Sequence, residues 1–296
     1  MPIQFIKKNK PVLPDIRAHL HRHLAGYQPG RPANTLHASD ITRQDPEFCP
    51  REAVIRAMQK KVPDEFITTA DVLTFDLGNQ IAENVIQWYA DMDMAVGDWK
   101  CLHCGVMYRF CKRPANCTTK GCGHRLFKYE EIRLTSPVTT ASGGIDLLLD
   151  IGVGKHVMVE HKTMKSEDFK KLVTPLAEHK LRTALYLKIA SEAVDDPRTA
   201  MLHKSEAYIM YTTKGGWGSI EPKIKEWNVI DGQYSPFKLF IQSRDDVLVT
   251  PYDSRAILFK EWRDGGPVPP RTCLNTFEPR AKNCGQMVKC FSGKLE

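Results

Sequence analysis

Two carboxylates and one lysine are the residues of this chain whose types and spacing best suit chemistry. Asp146 precedes a short apolar run, and Glu160 and Lys162 lie two residues apart in a second run. Carboxylate oxygens are preferred ligands of Mg²⁺ and Mn²⁺, and a neighbouring lysine can position a water and stabilise phosphate charge. The three residues therefore predict metal-assisted chemistry on a phosphate. The alternative is a hairpin that carries ordinary solvated charges.

A β-hairpin is the element that would bring these residues together. The two apolar runs flank the turn from Gly152 to Lys155, and short runs around a glycine-rich turn are typical of a hairpin. Asp146 and Glu160 are equidistant from the turn and should lie opposite each other. Glu160 and Lys162 should share one face because strand side chains alternate. Charges inside otherwise apolar strands need a partner or a metal, which favours a site over a solvated surface.

Length and composition set the class of protein. The chain has 296 residues, of which 26% are charged and 42% hydrophobic, and its formal net charge is +7. These values predict a soluble globular protein with one large domain and insertions, or with two small domains. The sequence has no apolar run that could span a bilayer and no signal peptide, so we expect a cytoplasmic, reducing location and no membrane partner. The positive charge favours a polyanionic partner.

Nine cysteines, arranged in clusters, indicate metal centres. Five lie within residues 101–122, three lie within 273–290, and Cys49 stands alone; in a reducing compartment such clusters are read as metal sites before disulfides. The first cluster predicts a structural zinc site. Its expected ligands are Cys101, Cys104, Cys117 and Cys122, with Cys111 and His124 as alternatives. The second cluster has three thiols, so a fourth ligand must come from elsewhere, and Cys49 is the only isolated cysteine.

Two helices are predicted beside the hairpin. Residues 70–92 form a long amphipathic helix with apolar positions at 73, 77, 81, 85, 88 and 89. Gly78 indicates the close approach of another backbone, and Glu83 either completes the metal site or is a surface glutamate. The inner face of a second helix, over 175–191, is expected to contain Leu181, Leu185, Tyr186 and Ile189. Its basic side, which either faces solvent or contacts phosphate, consists of His179, Lys180, Arg182 and Lys188.

Further elements are expected along the rest of the chain. Strands are predicted over 128–134, 206–213 and 225–230, and the last two should join the sheet of the hairpin. A helix is predicted over 252–264. A short helix over 15–24 lies within a basic N-terminal segment that contains several histidines.

In order and spacing, these motifs resemble the RecB-like branch of the PD-(D/E)XK nuclease superfamily. The similarity is greatest to members with an iron–sulfur cluster, such as the CRISPR adaptation nucleases and the AddAB nuclease domain, and it covers about residues 37–292 apart from an insertion at 99–128. The matching segments are Ser39-Asp-Ile with Phe48-Cys-Pro-Arg51, Leu77-Gly78 to Glu83, Gly144-Ile-Asp146, Glu160-His-Lys162, Leu181 to Tyr186, and Cys284-x₅-Cys290. The chain departs from the family at Ala82, where a histidine is frequent, and at Arg182, where a glutamine is frequent. Cys273 and Cys284 also stand further apart than the corresponding family cysteines.

The resemblance implies an α/β fold with a restriction-endonuclease-like core, in which a central mixed β-sheet is flanked by helices. A zinc-ribbon insertion and a cysteine-clustered C-terminal tail would be added to this core. The implied domains are a basic segment 1–36, a nuclease core 37–98 and 129–272, the insertion 99–128, and the tail 273–296, which would pair with Cys49.

The resemblance also implies a site and its cofactors. Asp146, Glu160, Glu83 and the carbonyl of His161 would hold Mg²⁺ or Mn²⁺, and Lys162 and Tyr186 would complete the catalytic set. Arg182, Lys180 and Lys165 would bind DNA. The four ligands of a [4Fe–4S] cluster, or of zinc as the alternative, would be Cys49, Cys273, Cys284 and Cys290.

The implied function is metal-dependent hydrolysis of DNA, most simply by an exonuclease that acts on free or single-stranded ends. Its setting would be recombination, repair or phage DNA processing, with a recombination or replication protein as partner. An endonuclease of the same fold is one alternative. A DNA-binding zinc-ribbon module with a degenerate nuclease core is another, and Ala82 keeps it open. Degradation of DNA that depends on Mg²⁺ or Mn²⁺ distinguishes the enzyme from the module.

Overall fold

A computed structural model of the chain describes residues 35–44, 47–59, 68–215, 229–230 and 233–292. The predicted helix over 15–24 and residues 225–228 of a predicted strand lie outside the described residues. The helices are α1 (Ala38–Ile41), α2 (Pro50–Met58), α3 (Thr69–Asp91), α4 (Ser166–Lys171), α5 (Ala177–Glu192), α6 (Asp246–Arg263), α7 (Pro279–Lys282) and α8 (Met287–Ser292), with a 3₁₀-helix at Pro197–Met201. The strands are β1 (Ala95–Cys101), β2 (Met107–Lys112), β3 (Phe127–Glu130), β4 (Ile132–Thr135), β5 (Ser142–Ile145), β6 (Leu147–Asp150), β7 (His156–Met164), β8 (Glu206–Thr213), β9 (Val229–Ile230), β10 (Gln233–Tyr234) and β11 (Phe237–Ser243).

A seven-stranded mixed sheet forms the centre of the described fold. Its strand order is β11-β8-β7-β6-β1-β2, and β3 also pairs with β1. β7 and β8 run parallel, whereas the other pairs of this sheet are antiparallel. Helices α3 and α5 pack against the sheet, and their apolar residues belong to its core clusters. The predicted mixed α/β class, a central mixed sheet flanked by helices, is confirmed.

Two small antiparallel sheets accompany the central one in the described residues. β4 pairs with β5, and β9 pairs with β10. The single strand predicted over 128–134 is therefore divided between β3 and β4, which belong to different sheets. The strand predicted over 225–230 was expected in the central sheet, but its described part, β9, is not there. The reason is that β11 takes the position beside β8 along its whole length.

The predicted helix over 70–92 is present as α3, but only some of its apolar positions are buried. Its start is fixed by a capping box between Thr68 and Asp71, which satisfies backbone N–H groups of the first turn. Val85 is buried as expected, whereas Leu77 and Trp88 are exposed. At Gly78, a Cβ would lie 2.9 Å from Thr163 Oγ1, so the close neighbour is a side chain of β7 and not another backbone.

Helix α5 is buried over most of its circumference. Leu181, Leu185, Tyr186 and Ile189 are each at most 9% exposed, as the pattern predicts. Helix α6 begins at Asp246, six residues before the predicted start, because the side chain of Asp245 caps its first turn. Pro251 lies inside the helix. None of the helices in the described ranges is long and apolar enough to cross a membrane.

The stretch 99–128 is joined to the core by a strand that both share. The beginning of β1 pairs with β6 through Ala95 and Val96. The remainder of β1, up to Cys101, pairs with β3, and β2 lies along its other edge. The ribbon-like stretch therefore continues the central sheet.

Candidate metal and active-site centres

The register of the β6–β7 hairpin places Asp146 opposite Glu160. Leu147 pairs with Val159, and Asp150 pairs with His156. One further step along the same register brings Asp146, which occupies the bend before β6, across from Glu160. This is the arrangement that the turn spacing predicts.

Lys162 bridges the two carboxylates. Its Nζ lies 3.0 Å from Asp146 Oδ2 and 2.8 Å from Glu160 Oε1. Asp146 Oδ2 also accepts the backbone N–H of His161 at 2.9 Å. The hairpin thus gathers two acidic groups and one ammonium on one face of the sheet.

Glu160 is a buried carboxylate with one oxygen unused. Its side chain is 1% exposed; Oε1 accepts from Lys162 and, at 3.2 Å, from Arg182, whereas Oε2 has no hydrogen-bond partner among the described residues. Burial, reinforced by the negative charge of Asp146, raises the pKa of Glu160, although Lys162 and Arg182 oppose this shift. A buried oxygen without a partner costs free energy. Coordination of a cation would satisfy it, so this donor set fits the predicted divalent metal.

Lys162 stays charged inside this cluster. Burial alone would lower its pKa, but Asp146 and Glu160 outweigh burial, and the pKa of Lys162 is raised above its ordinary value. Its Nζ also lies 3.1 Å from the carbonyl oxygen of His161, the backbone atom expected to bind metal. In the described structure the ammonium therefore contacts every group that the sequence assigns to the metal except Glu83.

Helix α5 closes the cluster from one side. Arg182 and Tyr186 lie one turn apart, so both face the same direction. The ring of Tyr186 lies against Gly143, where a Cβ would be 2.5 Å from Tyr186 Cε1. Burial, followed by the charges of Glu160 and Asp146, raises the pKa of Tyr186 well above its ordinary value.

The expected basic side of this helix is not a solvated surface. His179 Nδ1 lies 2.7 Å from the Tyr211 hydroxyl, and Lys188 pairs with Asp253. Arg182 is held by Glu160, as described above. These three groups are paired inside the fold, so they do not form a solvated face; contact of the basic side with phosphate stays a prediction. Of the other two predicted DNA-binding residues, Lys180 is half-buried and Lys165 is exposed.

His161 points to the opposite face of β7, as strand alternation predicts. Its Nε2 lies 2.8 Å from Thr212 Oγ1, and the side chain is buried. Burial lowers the pKa of His161 to about 4. The imidazole is therefore neutral at neutral pH and supports the sheet.

Glu83 is not brought to the two carboxylates. It is exposed, and it lies five residues after Gly78, which faces β7; five residues correspond to about 140° around a helix. Among the described residues, the only group of three or more potential ligands within single-ion distance consists of cysteines. Ala82 stands nearer the inner side of the helix than Glu83 does, and the role of Glu83 as a metal ligand stays a prediction.

Glu131 lies close to the glycine pair before Asp146, although no sequence pattern singled it out. This residue lies between β3 and β4, and its carboxylate is placed directly over Gly144, where a Cβ would collide with Oε2. The signal in the sequence was the glycine pair itself, because two adjacent glycines beside a strand leave room for side chains from neighbouring elements.

The first cysteine cluster is confirmed as a four-sulfur centre. The ligand atoms of Cys101, Cys104, Cys117 and Cys122 all lie within 4.8 Å of one another. Cys101 and Cys122 are 3.8 Å apart at sulfur, and Cys104 and Cys117 are 3.5 Å apart. Tetrahedral zinc with Zn–S bonds of about 2.3 Å needs sulfurs roughly 3.8 Å apart, so the donor set fits. Cys111 and His124 lie outside this group.

Local contacts shape the turns around the four ribbon cysteines and lower the pKa of one of them. Gly105 and Gly123 have positive φ values of 74° and 62°, which the tight turns after each cysteine pair require. Hydrogen bonds from Thr119 and Tyr108 lower the pKa of Cys117 to about 6. A lowered pKa favours the thiolate, which is the form that binds metal.

The second cysteine set lines one cavity. Cys49, Cys273, Cys284 and Cys290 surround it, together with residues of α2 and the C-terminal tail. Cys49 directly precedes Pro50 at the start of α2. These four sulfurs do not gather within single-ion distance as the ribbon cysteines do.

Hydrogen bonds fasten the tail to the entry segment around this cavity. Gln59 Nε2 donates to Gln286 Oε1 at 2.5 Å, and Arg51 donates to the carbonyl of Pro269 at 2.7 Å. Burial, followed by the negative charge of Glu52, raises the pKa of Cys284 to about 11. The tail therefore returns to the first helices.

Comparisons with known proteins give distant likenesses. No protein-family model matches the chain, and the comparison with curated proteins finds no relative. Among solved structures, SSO0001 is 14% identical, with 94% of each chain covered and a TM-score of 0.39. An alkaline exonuclease, LHK-Exo from Laribacter hongkongensis, is 10% identical over 79% of this chain and 90% of that chain, with a TM-score of 0.42. The same enzyme in complex with dAMP gives a TM-score of 0.43 at the same identity and coverage.

Proposed function

We propose that the protein is a metal-dependent DNA nuclease. The observation that carries the proposal is the cluster of Asp146, Glu160 and Lys162, in which a buried Glu160 oxygen has no partner among the described residues. Burying these charges costs free energy of folding, so a contribution to stability does not explain the cluster. It suits a site that exchanges part of its internal pairing for a cation and a phosphate.

The residues have separate tasks in this proposal. Asp146 and Glu160 hold Mg²⁺ or Mn²⁺, which when bound supplies an activated water and positive charge beside the phosphate. Lys162 donates hydrogen bonds to the water or phosphate and stabilises negative charge as it develops. Arg182 balances the charge of buried Glu160, and Tyr186 shapes the wall of the site next to Gly143.

The finer assignment is an exonuclease that acts on free or single-stranded DNA ends, supported by the order of the sequence motifs. Lys165 and Lys180 are the proposed additional DNA contacts, because neither is paired within the carboxylate cluster in the described structure. A DNA-binding module with a degenerate core is the second candidate. The exposed position of Glu83, together with Ala82, favours it because two carboxylates then remain of the three expected.

The two cysteine centres are proposed to be structural. Zinc at the ribbon is supported by the sulfur spacing given above. At the second set we propose a [4Fe–4S] cluster, because a cluster several atoms across holds its four thiolates further apart than one zinc ion does. Either group would contribute folding free energy by fastening its segment to the core.

The test is cleavage and binding of DNA by the Lys162→Ala variant. We expect loss of cleavage stimulated by Mg²⁺ or Mn²⁺, because the ammonium beside both carboxylates is removed, whereas DNA binding measured by fluorescence anisotropy is retained. The matched control is Lys155→Ala, which changes a lysine in the turn of the same hairpin. Wild-type turnover by the Lys162→Ala variant would refute the assignment, and lack of metal-stimulated cleavage in the wild type would favour the binding module.

A further inference from the structure

We propose that the outer face of the ribbon, residues 99–128, binds single-stranded DNA. This role goes beyond the proposed function, because the ribbon surface would bind DNA whether or not the carboxylate cluster cleaves it. The ribbon contains seven lysines and arginines and no acidic residue, whereas the rest of the chain contains 35 residues of each sign. The formal net charge of the whole chain, +7, therefore comes entirely from the ribbon.

More than half of the basic residues of the ribbon are not used within the fold. Three of the seven form ion pairs with aspartates near the start of the ribbon or on β6, namely Arg109, Lys112 and Arg113. The other four are exposed and form no ion pair with another described residue, namely Lys100, Lys120, Arg125 and Lys128. A zinc ion held by four thiolates leaves two negative charges at the metal centre. The ribbon therefore presents an excess of positive charge to solvent, which attracts a polyanion.

Two of these four lysines and arginines face each other on the sheet. In the β1–β3 pair, Lys100 lies across from Lys128, and both side chains are exposed. Residues directly opposite each other in an antiparallel pair have Cβ atoms about 5 Å apart, and like charges in this arrangement are destabilising. The fold gains nothing from this pair, whereas two adjacent ammonium groups can contact phosphates of one DNA strand.

Exposed leucines extend the same face towards the metal centre. The Leu102 N–H donates to the Leu126 carbonyl at 3.0 Å, so the β1–β3 ladder continues by one residue. Leu102 is 60% exposed and Leu126 is 67% exposed, whereas the neighbouring Cys101 and Phe127 are buried. Side chains alternate along a strand, so both leucines share the face of the two lysines. Apolar groups beside unpaired cations suit a partner with both phosphates and exposed bases.

A pair of stacked imidazoles adjoins the two leucines. The rings of His103 and His124 are parallel to within 10°, with centroids 3.8 Å apart, and both residues are exposed. His103 directly follows Leu102, and His124 lies two residues before Leu126. Aromatic rings beside cations form the usual platform for the bases of a single strand, because every base has a π-face. In a duplex the bases stack on one another, so the platform favours a single strand.

The charge of the surface is tested by binding of fluorescently labelled oligothymidylate, measured by anisotropy at several salt concentrations without added divalent cation. We expect Lys100→Gln/Lys128→Gln to bind more weakly. The slope of log affinity against log salt concentration should become shallower by about 1.4, or about 0.7 for each phosphate contact on a single strand. The matched control, Lys155→Gln/Lys260→Gln, removes the same charge from the hairpin turn and from α6, and it should keep the wild-type slope.

The stacking platform is tested by His124→Ala. We expect binding of oligothymidylate to weaken by about fivefold or more with an unchanged salt slope, whereas binding of a duplex of the same length stays unchanged. Leu126→Ser, which lies further from the cysteines, should change binding in the same direction. Zinc content and thermal unfolding of each variant verify the metal centre and the fold, and Leu126→Ser decides the matter if the histidine variant loses zinc.

The outcomes separate the ribbon surface from the proposed function. Wild-type affinity and salt slope in Lys100→Gln/Lys128→Gln would overturn the ribbon surface, while metal-stimulated cleavage by the wild type would still support the nuclease. Equal weakening of oligothymidylate and duplex binding by Leu126→Ser would overturn the assignment to single strands. Weaker binding in the ribbon variants of a protein that does not cleave DNA would uphold the ribbon surface and refute the nuclease.

Discussion

Acid should destabilise the fold through His179. Burial, followed by the positive charges of Lys162 and Arg182, lowers the pKa of His179 to about 3, from an ordinary value of 6.5. Below about pH 6.5 the imidazole is therefore protonated in the unfolded chain but stays neutral in the folded chain, and stability falls as the pH decreases. The loss of stability begins near pH 6.5 and continues until the pH reaches the pKa of His179 in the folded protein, about 3.

The size of this effect follows from the two pKa values. At about pH 5, the unfolded imidazole is protonated and the folded one is not, which costs about 2 kcal/mol relative to about pH 7.5. The figure is insensitive to the folded pKa, because that value lies well below pH 5. His161, with a pKa of about 4, adds a similar loss. Together the two histidines remove about 4 kcal/mol, a large part of a typical stability of roughly 5–15 kcal/mol.

The assay is urea unfolding followed by tryptophan fluorescence at both pH values. The His179→Gln variant retains a side chain that can accept from the Tyr211 hydroxyl, and it should lose about 2 kcal/mol less than the wild type between the two conditions. His161→Gln should likewise lose about 2 kcal/mol less stability than the wild type between the two pH values, and the double variant about 4 kcal/mol less. Contributions from other groups, including acid release of cysteine-bound metal, cancel in the comparison. If His179→Gln loses as much stability as the wild type, the argument from its burial is wrong.

Two further predictions concern packing and metal content. Gly143→Ala should destabilise the protein by about 1–3 kcal/mol in urea unfolding, because its Cβ would lie 2.5 Å from the Tyr186 ring. Gly285→Ala, which meets nothing within 4 Å, is the control, and equal stability of the two variants would contradict the prediction. In metal analysis of anaerobically purified protein, Cys104→Ser should lose zinc and keep iron. Cys284→Ser should lose iron, together with its visible absorbance, and keep zinc. Loss of both metals from either variant would contradict two separate centres.

The hairpin and the ribbon cysteines could be predicted because their signals are local. A glycine turn fixes the register of the strands on both sides of it, so the opposition of Asp146 and Glu160 follows from counting residues. Likewise, paired cysteines on tight turns determine their own grouping. The grouping of Cys101 with Cys122 could be predicted without knowing the rest of the fold.

The remainder could not be predicted because it depends on contacts between distant segments. Arg182 and Lys188 of α5 are paired because Glu160 and Asp253 lie against that helix, and no pattern within the helix contains this information. Glu83 was assigned by resemblance to the first motif of the nuclease family, and its exposure on α3 depends on how that helix packs against β7. The position of the Glu131 carboxylate over Gly144 depends on the β4–β5 pairing, whose partner strand begins ten residues further along the chain.

Strand β1 also fixes how the ribbon, residues 99–128, is attached to the core sheet. It is paired with the core sheet at Val96 and ends at Cys101, five residues that span about 17 Å at the usual rise of a strand. A flexible linker would let the ribbon sample many orientations, but a continuous backbone ladder fixes both its reach and its direction. On the proposed function, DNA that contacts the ribbon and the core together would meet two surfaces whose separation does not change.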